Sequence, residues 1–163
     1  MDEPTFDEEA TDGNTSPLPI SILLAEDDYD DCFLFSEALQ ELKLATRLTC
    51  VKDGEQLMGY LQSCHGALPD VIFLDINMPR KNGHQCLMEI KKDPRLNSIP
   101  IVVLSTANEP NRVKLLLNAG ALSYFMKPDE FGILKKIITQ VLGQIRELRG
   151  LAPPKIINHE SEG

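Results

Sequence analysis

The chain has 163 residues, with 25 acidic and 16 basic side chains, so its net charge at neutral pH is −9. This charge argues against nucleic-acid binding, which depends largely on the neutralisation of phosphates by Lys and Arg. No apolar run approaches the roughly 20 residues that a membrane-spanning helix requires. The length suits one domain with short terminal segments.

The first 19 residues are acidic and contain three prolines and no basic residue. They offer too little apolar surface to offset the entropy lost on ordering, so we expect 1–19 to be a disordered acidic tail. An export signal begins with basic residues followed by an apolar run, which is the opposite order, so we expect a cytoplasmic protein. The four cysteines have neither metal-site nor redox-motif spacing, and we interpret them as reduced thiols.

From residue 20 onward, five short apolar segments alternate with five amphipathic segments. The predicted strands cover residues 20–25, 47–51, 71–74, 101–104 and 122–126. The predicted helix starts contain capping residues, namely Asp28-Tyr29-Asp30-Asp31, Asp53-Gly54, Asn108-Glu109-Pro110 and Asp129. Because strands joined by right-handed helical crossovers lie parallel, this order predicts a doubly wound α/β fold with a five-stranded sheet covered on both faces.

Polar side chains follow four of the five predicted strands. In a doubly wound sheet the carboxyl ends of the strands lie along one edge. The residues expected there are Glu26 and Asp27, Asp75, Ser105 and Thr106, and Lys127. Three neighbouring carboxylates repel one another unless a cation is present or a pKa rises. Mg²⁺ bound by carboxylates, water and phosphate suits this set, and the lysine and hydroxyl suit phosphate oxygens.

Each of these residues also has an ordinary structural interpretation. Glu26 and Asp27 could begin a helix, Ser105 could end a strand, and Lys127 could be an exposed residue before a proline. Taken singly, these interpretations are at least as good as a functional one. Their occurrence at successive strand ends of one sheet favours a functional site.

The polar residues at the strand ends also match those of a known family, in the order Glu26-Asp27, Asp75, Ser105 and Lys127-Pro128. On alternating strands and helices, this order closely resembles the receiver domain of two-component response regulators. The resemblance implies a flavodoxin-like (βα)₅ fold with the strand order 2-1-3-4-5. We therefore expect a receiver domain at 20–149 and a C-terminal extension at 150–163, which is too short for a DNA-binding module.

The resemblance implies a role for each acidic residue. Asp75 would be the phosphoacceptor that attacks the phosphorus of a phosphohistidine on a sensor histidine kinase. Asp27 and Asp75 would bind Mg²⁺ directly, with the backbone carbonyl of Asn77 as third protein ligand, and Glu26 would hold a metal-bound water. This assignment suits phosphoryl transfer, which mainly requires alignment and charge neutralisation, and a carboxylate nucleophile forms an acyl phosphate.

The resemblance also implies a conformational switch. Lys127 would pair with phosphoryl oxygens, and the Lys127–Pro128 bond is often cis in this family. Ser105 stands at the usual hydroxyl switch position and Tyr124 at the aromatic one, so that a new phosphoryl charge would draw Ser105 inward and let Tyr124 turn. Thr106 occupies the place of a smaller residue in many receivers, which would narrow access to the phosphate.

Further details suggest a subgroup and a slow loss of phosphate. The long segment after Asp27, the stretch Asn77–Gly83 and the Ser105-Thr106 pair resemble stand-alone regulators associated with phytochrome-type sensor kinases. That subgroup commonly forms homodimers through helix 4, strand 5 and helix 5. Ala107 and Asn77 occupy positions that influence hydrolysis, and we predict slow self-dephosphorylation rather than conventional enzymatic activity. The output would be contact with a downstream protein partner.

Two alternatives compete with this interpretation. A degenerate receiver could serve as a phosphorylation-independent binding scaffold, although the retained Glu26, Asp27, Asp75 and Lys127 argue against it. A haloacid-dehalogenase-type phosphatase also uses an aspartate at a strand end. That family requires an acid two residues after the nucleophile, where this chain has Asn77.

Overall fold

The structure is a computed structural model, and it describes residues 18–106 and 109–150. The predicted acidic tail up to residue 17, the extension from residue 151, and the positions Ala107 and Asn108 lie outside the described residues. The strands are β1 (Ile20–Ala25), β2 (Thr46–Val51), β3 (Val71–Leu74), β4 (Ile101–Ser105) and β5 (Ser123–Met126). The helices are α1 (Tyr29–Leu42), α2 (Gly54–Ser63), α3 (Gly83–Lys92), α4 (Pro110–Asn118) and α5 (Phe131–Leu148).

The five strands form one parallel sheet in the order β2-β1-β3-β4-β5, which confirms the predicted fold class. Alternate residues of each strand face opposite sides of the sheet. One side packs against α2 and α3 and includes Leu23, Ile72, Leu74 and Val103. The other side packs against α1 and α5 and includes Leu24, Phe73 and Val102. The two apolar layers are therefore separated by the sheet, and helices cover both of its faces.

The strand ends are aligned by backbone hydrogen bonds that continue past the strands themselves. The Asp75 N–H donates to the Ala25 carbonyl at 3.0 Å, and the Glu26 N–H donates to the Val51 carbonyl at 3.0 Å. On the other side, the Lys127 N–H donates to the Ser105 carbonyl at 2.9 Å. These bonds fix the first residue after β1, β3 and β5 at the same edge of the sheet.

Side-chain caps begin three of the helices. Asp28 accepts from the backbone N–H groups of Asp30 and Asp31 at the start of α1, as predicted. Asp53 caps α2 in the same way, and Asn82 forms a capping box with Gln85 at the start of α3. These caps satisfy N–H groups that have no partner within their helix.

Asp129, the predicted cap of α5, is not the cap. Glu130 occupies the N-cap position, where its backbone carbonyl accepts from the N–H groups of Ile133 and Leu134, and its side chain makes no cap bond. Within the described residues, none of the helices is both long enough and apolar enough to cross a membrane.

Candidate functional site

Three carboxylates converge at the ends of β1 and β3. One oxygen from each of Glu26, Asp27 and Asp75 lies within 4.8 Å of the other two. Glu26 and Asp75 are buried, whereas Asp27 is exposed. The side chain of Glu26 accepts from the Asp28 N–H at 3.0 Å, and Asp75 Oδ1 accepts from the Asn77 N–H at 3.1 Å. Local backbone turns therefore hold both buried carboxylates in place.

Lys127 supplies the positive charge opposite these acids. Its Nζ lies 2.6 Å from Glu26 Oε1, 3.0 Å from Asp31 Oδ2 and 3.5 Å from Asp75 Oδ2. Glu26, Asp75 and Lys127 were predicted at the same edge of the sheet, and the structure brings the three side chains into contact. Asp31 was not predicted at the site. Residues 27–31 contain four acids, and only the direction of α1 decides which of them reaches Lys127.

Burial of like charges raises the pKa of both inner carboxylates. The pKa of Glu26 rises from 4.5 to about 7, mainly because of burial, with a further contribution from Asp75 and an opposing one from Lys127. Burial also raises the pKa of Asp75, against the charge of Lys127. The pKa of Lys127 would be lowered by its own burial, but the contacts with Glu26 and Asp31 outweigh that effect and raise it. Negative charge is thus incompletely neutralised here.

A cluster of this composition suits a hard divalent cation, which prefers oxygen ligands. The described residues fit such an ion on two observations: three carboxylate oxygens are mutually within 4.8 Å, and burial leaves Glu26 with a pKa near neutrality. An open cleft of about 610 Å³ adjoins the cluster and is lined in part by Asp27, Asn77, His84 and Arg112. Solvent can therefore reach the exposed carboxylate of Asp27.

The turn after β3 shapes one wall of the site. The N–H groups of Met78 and Gly83 both donate to the Ile76 carbonyl, and Arg80 adopts a left-handed conformation with φ of 67°. A Cβ atom on Gly83 would lie 2.5 Å from the Asp75 carbonyl oxygen, so no other residue fits without movement of the backbone. This close approach ties the start of α3 to the strand end that carries Asp75.

The predicted switch residues occupy distinct environments. Ser105 is completely buried at the end of β4, and Tyr124 of β5 is partly buried against the apolar layer that faces α2 and α3. Thr106 and Asn77 are exposed. The described residues contain no cis peptide bond, so the Lys127–Pro128 bond is trans and differs from the cis form that is often found in the family.

Comparison with known proteins identifies the family. The family model of the response regulator receiver domain matches residues 22–139. The chain belongs to this receiver family. The resemblance found in the sequence is thereby confirmed over most of the described residues, and the receiver fold is that of a flavodoxin-like doubly wound sheet. Receiver domains of this family act in two-component signalling as acceptors of a phosphoryl group, and they are generally not conventional enzymes.

Two relatives illustrate the match. A probable methanogenesis regulatory protein, FilR2 of Methanothrix harundinacea, is 32% identical over 126 residues, which are 76% of this chain and 81% of FilR2. Response regulator Rcp1 of Synechocystis is 37% identical over 99 residues, which are 58% of this chain and 67% of Rcp1.

Two solved structures have similar folds. The phosphorylated cyanobacterial phytochrome response regulator RcpA superposes with a TM-score of 0.72 at 31% identity, over 84% of this chain and 99% of RcpA. The Mn²⁺-bound form of Rcp1 superposes with a TM-score of 0.71 at 30% identity, over 84% of this chain and 100% of that structure.

Proposed function

We propose that Asp75 accepts a phosphoryl group from a sensor histidine kinase in the presence of Mg²⁺. The observation that carries the proposal is the cluster of Glu26, Asp27 and Asp75 at the strand ends, with Lys127 Nζ within 3.5 Å of Asp75 Oδ2. Two solved structures with similar folds, the phosphorylated form of RcpA and the Mn²⁺-bound form of Rcp1, support the same chemistry.

In this mechanism a carboxylate oxygen of Asp75 attacks the phosphorus of the phosphohistidine. The phosphorus–nitrogen bond breaks, the electron pair leaves with the imidazole, and an acyl phosphate forms on Asp75. Asn77 orients the nucleophile through its backbone N–H, and Lys127 stabilises charge on the phosphoryl oxygens. Asp27, Asp75 and the Asn77 carbonyl would hold Mg²⁺ and Glu26 a metal-bound water, and the ion would neutralise the phosphoryl charge.

The signal would pass from the site to the surface through Ser105 and Tyr124. The phosphoryl group adds roughly two negative charges beside the buried Ser105 hydroxyl. Movement of Ser105 toward that charge would change the space beside Tyr124, which already packs at the edge of the apolar layer. Thr106, exposed next to Ser105, would limit access to the acyl phosphate. The response would be a shift between two arrangements of α4, β5 and α5.

The partners follow from the same surface. Apolar side chains are exposed on α4, before and within β5, and on α5: Leu115, Leu117, Leu122, Met126 and Ile133. This face suits the formation of a homodimer through α4, β5 and α5, and a downstream protein would bind that dimer. The similarity to RcpA, a phytochrome response regulator, and to AtBRR, a bacteriophytochrome response regulator, favours a phytochrome-type kinase as donor. The four free thiols suit a reducing cytoplasm.

Intact-mass measurement after incubation with phosphoramidate and Mg²⁺ tests the proposal. We expect one added phosphate on the wild type, none on Asp75→Asn, and none on the wild type in excess chelator. Asp70→Asn is the matched control, since Asp70 precedes the same strand at its opposite end and its amide can still accept from the Ser21 N–H. A wild type that gains no phosphate would contradict the proposal and favour the phosphorylation-independent scaffold.

The lifetime of the phosphate is a separate expectation. Because Ala107 supplies neither an acid nor an amide at a position that influences hydrolysis, and Asn77 is the other such position, we propose slow self-dephosphorylation. The decay of the phosphorylated mass over hours supports this; complete loss within minutes would contradict it.

A further inference from the structure

We propose that Asp31 is a displaceable partner of Lys127 and that it gives up an N–H of the Lys127 ammonium to a phosphoryl group bound at Asp75. The inference rests on the proposed function, and it adds a positioning residue on α1 that acts through Lys127. Its starting point is the ion pair between Asp31 Oδ2 and Lys127 Nζ at 3.0 Å, across 96 residues of sequence.

The hydrogen-bonding capacity of Lys127 sets up the competition. An ammonium group has three N–H donors and no acceptor. Three carboxylates already lie around it, at 2.6 Å for Glu26, 3.0 Å for Asp31 and 3.5 Å for Asp75. Because Asp75 carries the phosphoryl group, its own contact with Lys127 passes to that group. A second phosphoryl oxygen then needs an N–H that Glu26 or Asp31 now uses, so one of these two carboxylates has to give way.

Solvent exposure decides which carboxylate leaves. The side chain of Glu26 is 4% exposed, so it would lose its ionic partner without gaining water. Asp31 is 40% exposed on the first turn of α1 and can be hydrated when it lets go. An unpaired buried charge is costly, whereas an exposed ion pair contributes little. Asp31 is accordingly the partner that the phosphoryl group displaces.

Displacement of Asp31 also changes the surface. Asp31, Leu34, Pro128 and Leu134 line a small hollow between α1 and the loop that leads from β5 to α5. In the unphosphorylated protein, the Asp31–Lys127 pair bridges this hollow. Phosphorylation would open the bridge and leave a free carboxylate on α1. The Asp31–Lys127 pair would thus oppose phosphoryl binding, and its loss would expose a new negative charge on the surface of α1.

Binding of beryllofluoride, a phosphoryl analogue, at saturating Mg²⁺ tests the inference, with ¹⁹F NMR to measure the bound fraction. We expect Asp31→Asn to tighten binding about threefold, the size of effect measured for partly exposed ion pairs. Asp31→Glu keeps the charge and should restore wild-type affinity. Asp30→Asn removes an equal charge from the same turn and should change nothing, because Asp30 makes no ion pair in the part of the chain that the structure describes.

The Lys127→Gln background separates competition for the ammonium from a general effect of charge or folding. There, we expect Asp31→Asn to leave the affinity unchanged. The inference is overturned if Asp31→Asn binds no more tightly than the wild type, if Asp30→Asn matches it, or if the gain persists without Lys127. A wild type that neither binds beryllofluoride nor accepts phosphate would instead overturn the proposed function, and this inference with it.

Discussion

The centre of the sheet and its β5 edge are built differently. All four residues of β3 are completely buried, and the strand ends directly in Asp75. None of the four residues of β5 is fully buried, and Leu116 is the only buried residue described in α4. The central strands combine dense apolar packing with buried charge. The edge carries exposed leucine and methionine side chains instead.

This difference separates two requirements of a signalling domain. Carboxylates with raised pKa values need surroundings that hold them in place, and the backbone bonds at the ends of β1 and β3 provide this. A surface that changes partners needs few buried contacts, because regions with fewer packed contacts have lower local stability. The centre of the sheet is suited to hold the reactive carboxylates in a fixed geometry. The loosely packed α4 and β5 are suited to a conformational change or to a change of binding partner.

The largest expected difference between the two regions is in the free energy of unfolding that is lost when a leucine is truncated to alanine. Leu74→Ala removes a completely buried side chain from β3 and should lower the free energy of unfolding by about 2–5 kcal/mol. Leu117→Ala removes the same atoms from α4, where the side chain is 42% exposed, and should cost less than about 0.5 kcal/mol. Urea unfolding of both variants measures this. Equal costs would contradict the distinction.

The next effect concerns the turn beside the site. Gly83→Ala would place a Cβ atom 2.5 Å from the Asp75 carbonyl oxygen, so the backbone must shift, and we expect a loss of about 1–3 kcal/mol with slower phosphorylation. Gly143→Ala is the matched control in α5, where nothing lies within 4 Å of the added atom. It should stabilise the protein by about 0.5–1 kcal/mol. A neutral Gly83→Ala would show that the turn is adaptable.

A smaller effect follows from the pKa of Glu26. The folded pKa of about 7 exceeds the ordinary value of 4.5, so the folded state binds a proton more readily than the unfolded state. The stabilisation by that proton is lost as the pH rises through 7. The metal-free protein should therefore be more stable at pH 6 than at pH 8, by roughly 1 kcal/mol.

Thermal unfolding in chelator at the two pH values measures this difference. Mg²⁺ should stabilise the protein more at pH 8 than at pH 6, because its carboxylate ligands must be deprotonated. A metal-free stability that rises toward pH 8 would contradict the assignment of the pKa.

The smallest effect on folding stability should come from the proposed dimer face. Leu117→Lys adds a charge to an exposed site on α4 and should disrupt the homodimer while changing the free energy of unfolding of the monomer by less than about 0.5 kcal/mol. Sedimentation velocity before and after phosphorylation measures the change. Leu34→Lys is the control, since that leucine is equally exposed, at 43%, but lies on α1. Equal loss of the dimer in both variants would place the interface elsewhere.

Much of the architecture was determined by local sequence patterns. Runs such as Val71–Leu74 are too short for helices and too apolar for exposed strands, and capping residues such as Asp28 and Asp53 mark helix starts. Alternation of these elements allows few topologies, because crossovers are right-handed. The candidate site followed from this topology, since residues at the strand ends must meet at one edge. The strand order itself came from the family resemblance.

Tertiary structure alone decided details that depend on orientation. The sequence identifies Asp30 and Asp31 as similar acids in one turn, but the position of α1 against β5 brings only Asp31 to Lys127. Glu130 rather than Asp129 precedes α5, since backbone bonds set the first turn. The pKa of Glu26 also depends on burial and on neighbours 49 and 101 residues away, Asp75 and Lys127. Short-range patterns specify which helices and strands form. Three-dimensional packing specifies which charged side chains come into contact.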